Sequence, residues 1–225
     1  MGTELVAAIP AFNCARAIGG VVRGCLRHLP AVYVVDDGSQ DDTAKIASEA
    51  GARVETLAAN RGKGFALRRA IDNALVAEPP AVLLLDGDGQ HSPDDIPGFL
   101  DAWRRQDADL WIGSRMAEAE KIPRSRYWTN HLGSRVLSYM TGYDLEDSQS
   151  GFRLLRSSLL RRLKLCSDGY AIESEMLIKA AKLSARVAHI PIQTIYEGAE
   201  SHFQPLLDTL RISWASTYFQ VFCDL

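Results

Sequence analysis

The chain has 225 residues, 47% hydrophobic and 24% charged, with a formal net charge of −3. That length allows one sizeable core, and the slightly acidic balance excludes a global nucleic-acid footprint, so any anion site must be a local cluster of Lys and Arg. The four cysteines (Cys14, Cys25, Cys166, Cys223) are scattered without metal-ligand spacing and read as reduced thiols of a cytosolic protein. The apolar run Leu5–Ile9 is too short for a secretory leader, and no run reaches the roughly 18 apolar residues of a membrane span.

In chain order, strand-like and helix-like segments alternate. "LVAAIPA" (5–11) reads as a buried strand. "NCARAIGGVVRGCLRHL" places Ile18, Val21, Val22, Cys25, Leu26 and Leu29 on one helical face, with Asn13 as N-cap. "AVYVVDD" (31–37) is a second strand, and "SQDDTAKIASEAG" a helix closed by Gly51. "ARVETLA" is a third strand, followed by the helix "KGFALRRAIDNALVA". "AVLLLD" (81–86) is a fourth strand. "SPDDIPGFLDAW" opens as a helix, with Ser92 as N-cap and Pro93 at the first helical position. "ADLWIGS" (108–114) is a fifth strand. The second half is less regular: "RYWTNHLGSRVLSYMTG" and "ESEMLIKAAKL" read as helices, "SGFRLLR" and "ARVAHIPIQTIY" as strands. "PLLDTLRISWASTYFQVF" closes the chain as a mixed helix. No repeat or linker interrupts it, so one domain over 1–225 is expected. The helix within 203–225 is expected to pack on the core, pair in a homodimer or touch a membrane.

Alternation of this kind predicts a single, mostly parallel α/β sheet covered on both faces. Sites on such sheets lie beyond the carboxyl ends of the strands. That rule picks out "IPAFN", "VDDGS" and "DGDGQH". In "VDDGS", Asp37 either accepts hydrogen bonds from a ribose or base, or caps the following turn. The same acid pair also suits a signalling receiver domain. In "NRGKG" (60–64), two glycines and Lys63 precede a helix, where backbone N–H groups and the helix dipole favour a phosphate; ordinary turn chemistry explains the glycines equally well. "DGDGQH" (86–91) is the strongest local signal. Asp86 and Asp88 point to one side of an extended chain. Hard divalent cations prefer such oxygen ligands together with substrate phosphates. Gly87 and Gly89 permit close ligand approach, and Gln90 adds a neutral oxygen.

The ordered set "IPAFN", "VDDGS", "NRGKG", "DGDGQH", "GSR", "DSQSGFR", "ESEM" and "IPIQTIY" resembles the family-2 glycosyltransferases, in particular the dolichyl-phosphate or polyprenyl-phosphate mannose and glucose synthase branch. The resemblance covers nearly the whole chain. It implies a GT-A fold and an inverting hexose transfer from a nucleoside-diphosphate sugar of the GDP-mannose or UDP-glucose type. It places Pro10, Asn13, Asp37, Lys63, Asp86 and Gly87 at the donor. It puts Mg2+ or Mn2+ on Asp86, Asp88 and Gln90. Gly87 departs from the alanine commoner between the two acids, a swap that loosens the backbone. Arg115, Arg126, Ser150 and His202 fall at acceptor-phosphate positions, Arg115 and Arg126 matching best. Arginine suits phosphate through its planar fork. A solvated helix face explains Arg126 and Arg135 equally well. His202 stands where the branch usually has a basic residue. Asp88, Arg115 and Glu175 are the residues closest to the chemistry, Glu175 either as a base or, in the favoured reading, paired with a site arginine. Trp103, Trp111, Trp128 and Trp214 read as packing.

A phosphate acceptor is already ionised at neutral pH, whereas an alcohol needs a general base. The first expectation is therefore metal-dependent transfer to a polyprenyl phosphate at the cytoplasmic face of a membrane. The alternatives are transfer to a glycan or glycolipid hydroxyl, and a nucleotide-sugar-binding protein or receiver module without turnover.

Overall fold

The computed structural model describes residues 5–105, 107–122, 124–193 and 195, without the side chains of 119, 124–126 and 129. Seven strands form one sheet in the order β3-β2-β1-β4-β6-β5-β7. They are β1 (Val6–Ala11), β2 (Val32–Asp36), β3 (Arg53–Thr56), β4 (Ala81–Leu84), β5 (Leu110–Ser114), β6 (Arg153–Arg156) and β7 (Val187–Pro191). Among these, β6 alone is antiparallel, to both β4 and β5. The expected mostly parallel sheet is therefore present, and the short second-half strand "FRLLR" is the one that reverses.

The described helices are α1 (Ala15–Leu26), α2 (Thr43–Glu49), α3 (Lys63–Leu75), α4 (Ile96–Arg105), α5 (Arg124–Thr141), α6 (Ser157–Leu163) and α7 (Ile172–Lys182). Strand alternation divides the core in two. Ala7, Ile9, Val34, Leu83 and Trp111 pack under α1 and α4. Ala8, Val35, Val82, Leu84 and Ile112 pack under α3, α5, α6 and α7. Both faces of the sheet are thus dry, as near-continuous apolar strands require. Each fully buried Ile or Leu contributes roughly 1.5–3 kcal/mol.

Two local features open the carboxyl edge. Pro10 lies inside β1, where a missing N–H would normally break a ladder. Here β1 pairs with β4 only over Val6–Ala8, so β4 has already parted from β1 at Pro10. The chain leaving β4 there carries the acid pair. Asn13 sits in the left-handed region with φ 47°, and it is not the cap of α1. The first α1 amides are taken instead by the α2 loop: Cys14 N–H donates to Thr43 Oγ1 at 2.8 Å and Ala15 N–H to Asp41 at 3.1 Å. Asn13 Oδ1 accepts from Gln40 N–H at 2.9 Å, so Asn13 ties the β1 and β2 loops together.

Candidate active site

Asp36 and Asp37 end β2, both buried. Asp36 holds its own turn by accepting from Ser39 N–H and Oγ–H. Asp37 accepts from Arg61 N–H at 2.8 Å and Gly62 N–H at 2.9 Å. Neither simple sequence reading covers that arrangement: Asp37 secures the "NRGKG" loop across the strand end.

Of the two readings of that loop's glycines, packing is the one with contacts to show. At the start of α3, Gly64 N–H and Phe65 N–H donate to the Asp168 carbonyl at 2.7 and 3.3 Å. A Cβ on Gly62 would meet Asp168 O at 2.4 Å, and one on Gly64 would meet Ser167 O at 2.3 Å. The glycines are there because the 167–169 backbone lies against them, and that segment takes the amides that a phosphate would have used.

Lys63 projects from this loop. Its Nζ lies 2.9 Å from Asp86 Oδ1, 3.0 Å from Asp86 Oδ2 and 2.8 Å from Glu173 Oε1. Burial works against the charged ammonium, but Asp86 and then Glu173 outweigh it and hold the Lys63 pKa above its ordinary value. Asp86 gains correspondingly: burial alone would raise its pKa, and Lys63 followed by His91 brings it below normal. Among the described residues Asp88 forms no ion pair. Burial and then the negative Asp86 raise its pKa, while its Oδ1 accepts the Gln90 N–H at 2.9 Å. The strand end thus carries one neutralised and one uncompensated carboxylate.

The surrounding glycines serve this pair differently. Gly89, at φ 80°, makes the turn. A Cβ on Gly87 would lie 3.1–3.3 Å from Ile18, Cys14 and the Pro10 carbonyl, so this position packs against the start of α1 and leaves ligand approach to the acids. Gly151 was not singled out by sequence reasoning, yet a Cβ there would meet Asp86 Oδ2 at 2.7 Å. Gly151→Ala should therefore push Asp86 off Lys63 and lower transfer at least about tenfold, the scale of a 1.4 kcal/mol loss in transition-state stabilisation. Steady-state rates beside thermal unfolding check this; unchanged rates in the folded variant would show that Asp86 tolerates the shift.

His91 is buried beside Phe152, with ring centroids 5.4 Å apart and Nε2 3.9 Å from Asp86. Burial depresses its pKa to about 4, so the imidazole is neutral near pH 7. Below the unfolded value near 6.5 the unfolded chain binds a proton that the native chain refuses. Stability should thus fall as pH drops from about 6.5 to about 4, by up to about 3 kcal/mol from this group. Denaturant titrations of the parent and His91→Gln should show a shallower slope for the variant in that window.

Arg115 follows β5. Its Nε donates to Asp147 Oδ2 at 2.7 Å and its Nη2 to Asp147 Oδ1 at 2.9 Å. Asn130 of α5 donates to the same Oδ1 at 2.8 Å. Asp147 is fully buried; Arg115 and these hydrogen bonds outweigh burial and hold its pKa below normal. After burial, Lys63 and His91, the Arg115 charge also acts on Asp86 and lowers its pKa.

Two expectations are corrected here. Glu175 does not pair with a site arginine: Lys179 Nζ lies at 2.9 Å, and Cys166 N–H and Ser167 N–H both donate to it at 2.8 Å. It fastens the segment that touches Gly62 and Gly64. Ser150 is fully buried, its carbonyl taken by Arg153 Nε at 2.8 Å, and offers no surface to an acceptor. Arg153 is itself buried and bound to backbone carbonyls of Ser148, Ser150 and Glu173. The Arg126 side chain and His202 lie outside the described residues. Among the tryptophans, Trp111 is core and Trp103 packs against it, whereas Trp128 is 65% exposed. Trp214 lies outside the described residues. Trp128 shares one face of α5 with Leu132, Val136 and Tyr139, all exposed.

A strand-end acid pair, a bound lysine and a fixed arginine on this sheet agree with comparison to known proteins. The sequence pattern described as "Glycosyl transferase family 2" matches residues 7–164. The chain belongs to glycosyl transferase family 2. A UDP-N-acetylglucosamine–dolichyl-phosphate N-acetylglucosaminyltransferase of Methanococcus voltae is 31% identical, over 84% of each chain. An undecaprenyl-phosphate mannosyltransferase of Micrococcus luteus is 32% identical over 72% of this chain and 70% of its own. Among solved structures, glucosyl-3-phosphoglycerate synthase from Mycobacterium tuberculosis superposes with a TM-score of 0.74 at 19% identity, covering 98% of this chain and 79% of that one. The fold is GT-A, and this family-2 member is a glycosyltransferase.

Proposed function

We propose that this transferase moves a hexose from a nucleoside-diphosphate sugar to a polyprenyl phosphate, with inversion and with a divalent cation at Asp86 and Asp88. The observation that carries the acceptor assignment is Arg115, fixed by Asp147 at the end of β5, on a chain that runs on into the exposed apolar face of α5. An anionic headgroup on a long apolar tail asks for that combination of a rigid guanidinium and an adjoining greasy surface. The named relatives with dolichyl-phosphate and undecaprenyl-phosphate acceptors support the same reading.

The donor set fits a hard cation. Asp88 is a half-buried carboxylate that forms no ion pair among the described residues, and Asp86 and Gln90, two residues to either side, carry further oxygens. Related structures hold Mn2+ together with UDP-glucose. When bound, the cation would supply charge neutralisation for the departing diphosphate. Lys63 adds a second positive charge on the donor side. Asp37 and Asn13 hold the two loops that flank the donor. Arg115 orients the acceptor phosphate oxygen for attack. No residue need remove a proton from a phosphate monoester, and the hydrogen bonds on Glu175 leave it unsuited to act as a base. Contact with the lipid is assigned to the α5 face; no described helix is long and apolar enough to cross a membrane. The proposed place of action is the cytoplasmic leaflet.

The test is transfer from radiolabelled GDP-mannose, UDP-glucose and UDP-N-acetylglucosamine to a short-chain polyprenyl phosphate in detergent. The matching polyprenyl alcohol runs alongside, with Mg2+, Mn2+ or chelator. The expected result is a labelled, organic-extractable product only with the phosphate and only with metal. Equal use of the alcohol would reassign the acceptor, and full activity in chelator would remove the cation.

A further inference from the structure

We infer that Lys63 is a built-in counter-ion that occupies the cation's place at Asp86 in the free protein, so that a divalent cation binds well only together with the diphosphate that draws the ammonium away. This inference rests on the proposed cation site. Its ground is that Lys63 Nζ straddles the Asp86 carboxylate, 2.9 Å from one oxygen and 3.0 Å from the other. A metal chelated by that edge of Asp86 would compete with the ammonium for it, and two cations crowded there repel each other strongly in a largely buried setting. Lys63 is only 20% exposed, so water screens that repulsion little.

Glu173 completes the device. It stands in the first turn of α7, buried, with the Lys63 ammonium at 2.8 Å as its ionic partner; among the described residues no other donor reaches its Oε1. The Tyr170 ring centroid lies 5.7 Å from Nζ. Lys63 therefore has a second anchor and can leave Asp86 without being stranded. An incoming diphosphate offers the ammonium new negative oxygens, and Asp86 is then open to the metal. In the meantime the ammonium sits between Asp86 and Glu173 and limits the repulsion between those two carboxylates. The consequence is a thermodynamic coupling: whatever displaces Lys63 raises metal affinity, and metal raises diphosphate affinity by the same factor.

The readout is direct Mn2+ binding to the full chain, followed by the electron paramagnetic resonance signal of free Mn2+, without nucleotide and then with UDP or GDP. Lys63→Met and Lys63→Gln should each bind Mn2+ alone at least about tenfold more tightly than the parent, within the usual range of site-to-site coupling. The parent should gain at least about tenfold in Mn2+ affinity on adding its nucleoside diphosphate, and the two variants should gain less. Lys63→Arg keeps the charge and should stay close to the parent without nucleotide. Equal Mn2+ affinity of the parent and whichever neutral variant folds, judged by circular dichroism, would overturn the inference while leaving the cation site standing. Absence of Mn2+ binding in every form, with either diphosphate present, would overturn the cation site and this inference together.

Discussion

Asp88→Asn should lower transfer by at least about a hundredfold while leaving the fold intact, the scale of losing one group that stabilises transition-state charge. The two halves of that statement have separate physical sources. The fold survives because the Asp88 bond to Gln90 N–H needs only a carbonyl-type oxygen, which asparagine keeps. Burial and the neighbouring Asp86 already disfavour the charged form of Asp88, so removing the charge relieves repulsion. Thermal unfolding without metal should therefore move upward or stay level. Transfer falls because the variant loses one of the two carboxylate charges that would hold the cation, leaving Asp86 to hold it alone once the diphosphate has drawn Lys63 away. Initial rates at saturating Mn2+, set beside melting curves, check both halves. A variant with parental rates would show that Asp88 holds nothing that matters to the chemistry.

Much of this site was legible in the sequence because its signals are local. Two acids spaced by one residue just past a run of apolar residues mark themselves, although β4 ends at Leu84 and Asp88 lies in the turn that follows it. The alternating elements likewise announce a doubly covered sheet. What could not be read was which groups are already spent on each other. The amides of "NRGKG" look available for phosphate until the 167–169 backbone arrives from far downstream and takes those that open α3. That Asp37 also fastens a distant loop could not be seen before Arg61 and Gly62 came up against it. Glu175 looks like a site acid, but its partners are Lys179, one turn on, and the amides of a loop that no periodicity marks. Gly151 gave no signal, since its requirement comes from the Asp86 side chain, distant in sequence. Trp128 misled for the opposite reason: tryptophan is usually packed, and only the position of α5 on the sheet shows that this one faces out. Chain-local chemistry identifies the acids, and tertiary partners decide what each remains free to do.

The second large effect concerns Arg115 and has to be separated from stability. Arg115→Met leaves Asp147 with no exposure and without its ionic partner. Breaking a buried pair on one side costs about 3–5 kcal/mol, because the remaining charge stays uncompensated. A loss of transfer in the single variant would therefore be ambiguous. Pairing it with Asp147→Asn removes both charges. The new side-chain amide would still offer an oxygen to Asn130 Nδ2, which now donates to Asp147 at 2.8 Å. The double variant should regain most of the unfolding free energy, since replacing a buried ion pair by neutral groups of similar volume is often close to neutral. It should not regain transfer. With the guanidinium gone, kcat/KM for the polyprenyl phosphate should stay down by at least about a hundredfold, the worth of a bidentate charged contact of roughly 3 kcal/mol. Nucleoside diphosphate affinity should remain within about threefold of the parent, because Arg115 is assigned to the acceptor and not to the donor loop; a change of about threefold is under about 1 kcal/mol. Arg115→Lys keeps the charge but not the planar fork, and should recover only part of the rate. Chemical unfolding and acceptor kinetics on the three variants decide the matter. If the double variant recovers stability and transfer together, Arg115 is a support for Asp147 and the acceptor phosphate must be held elsewhere.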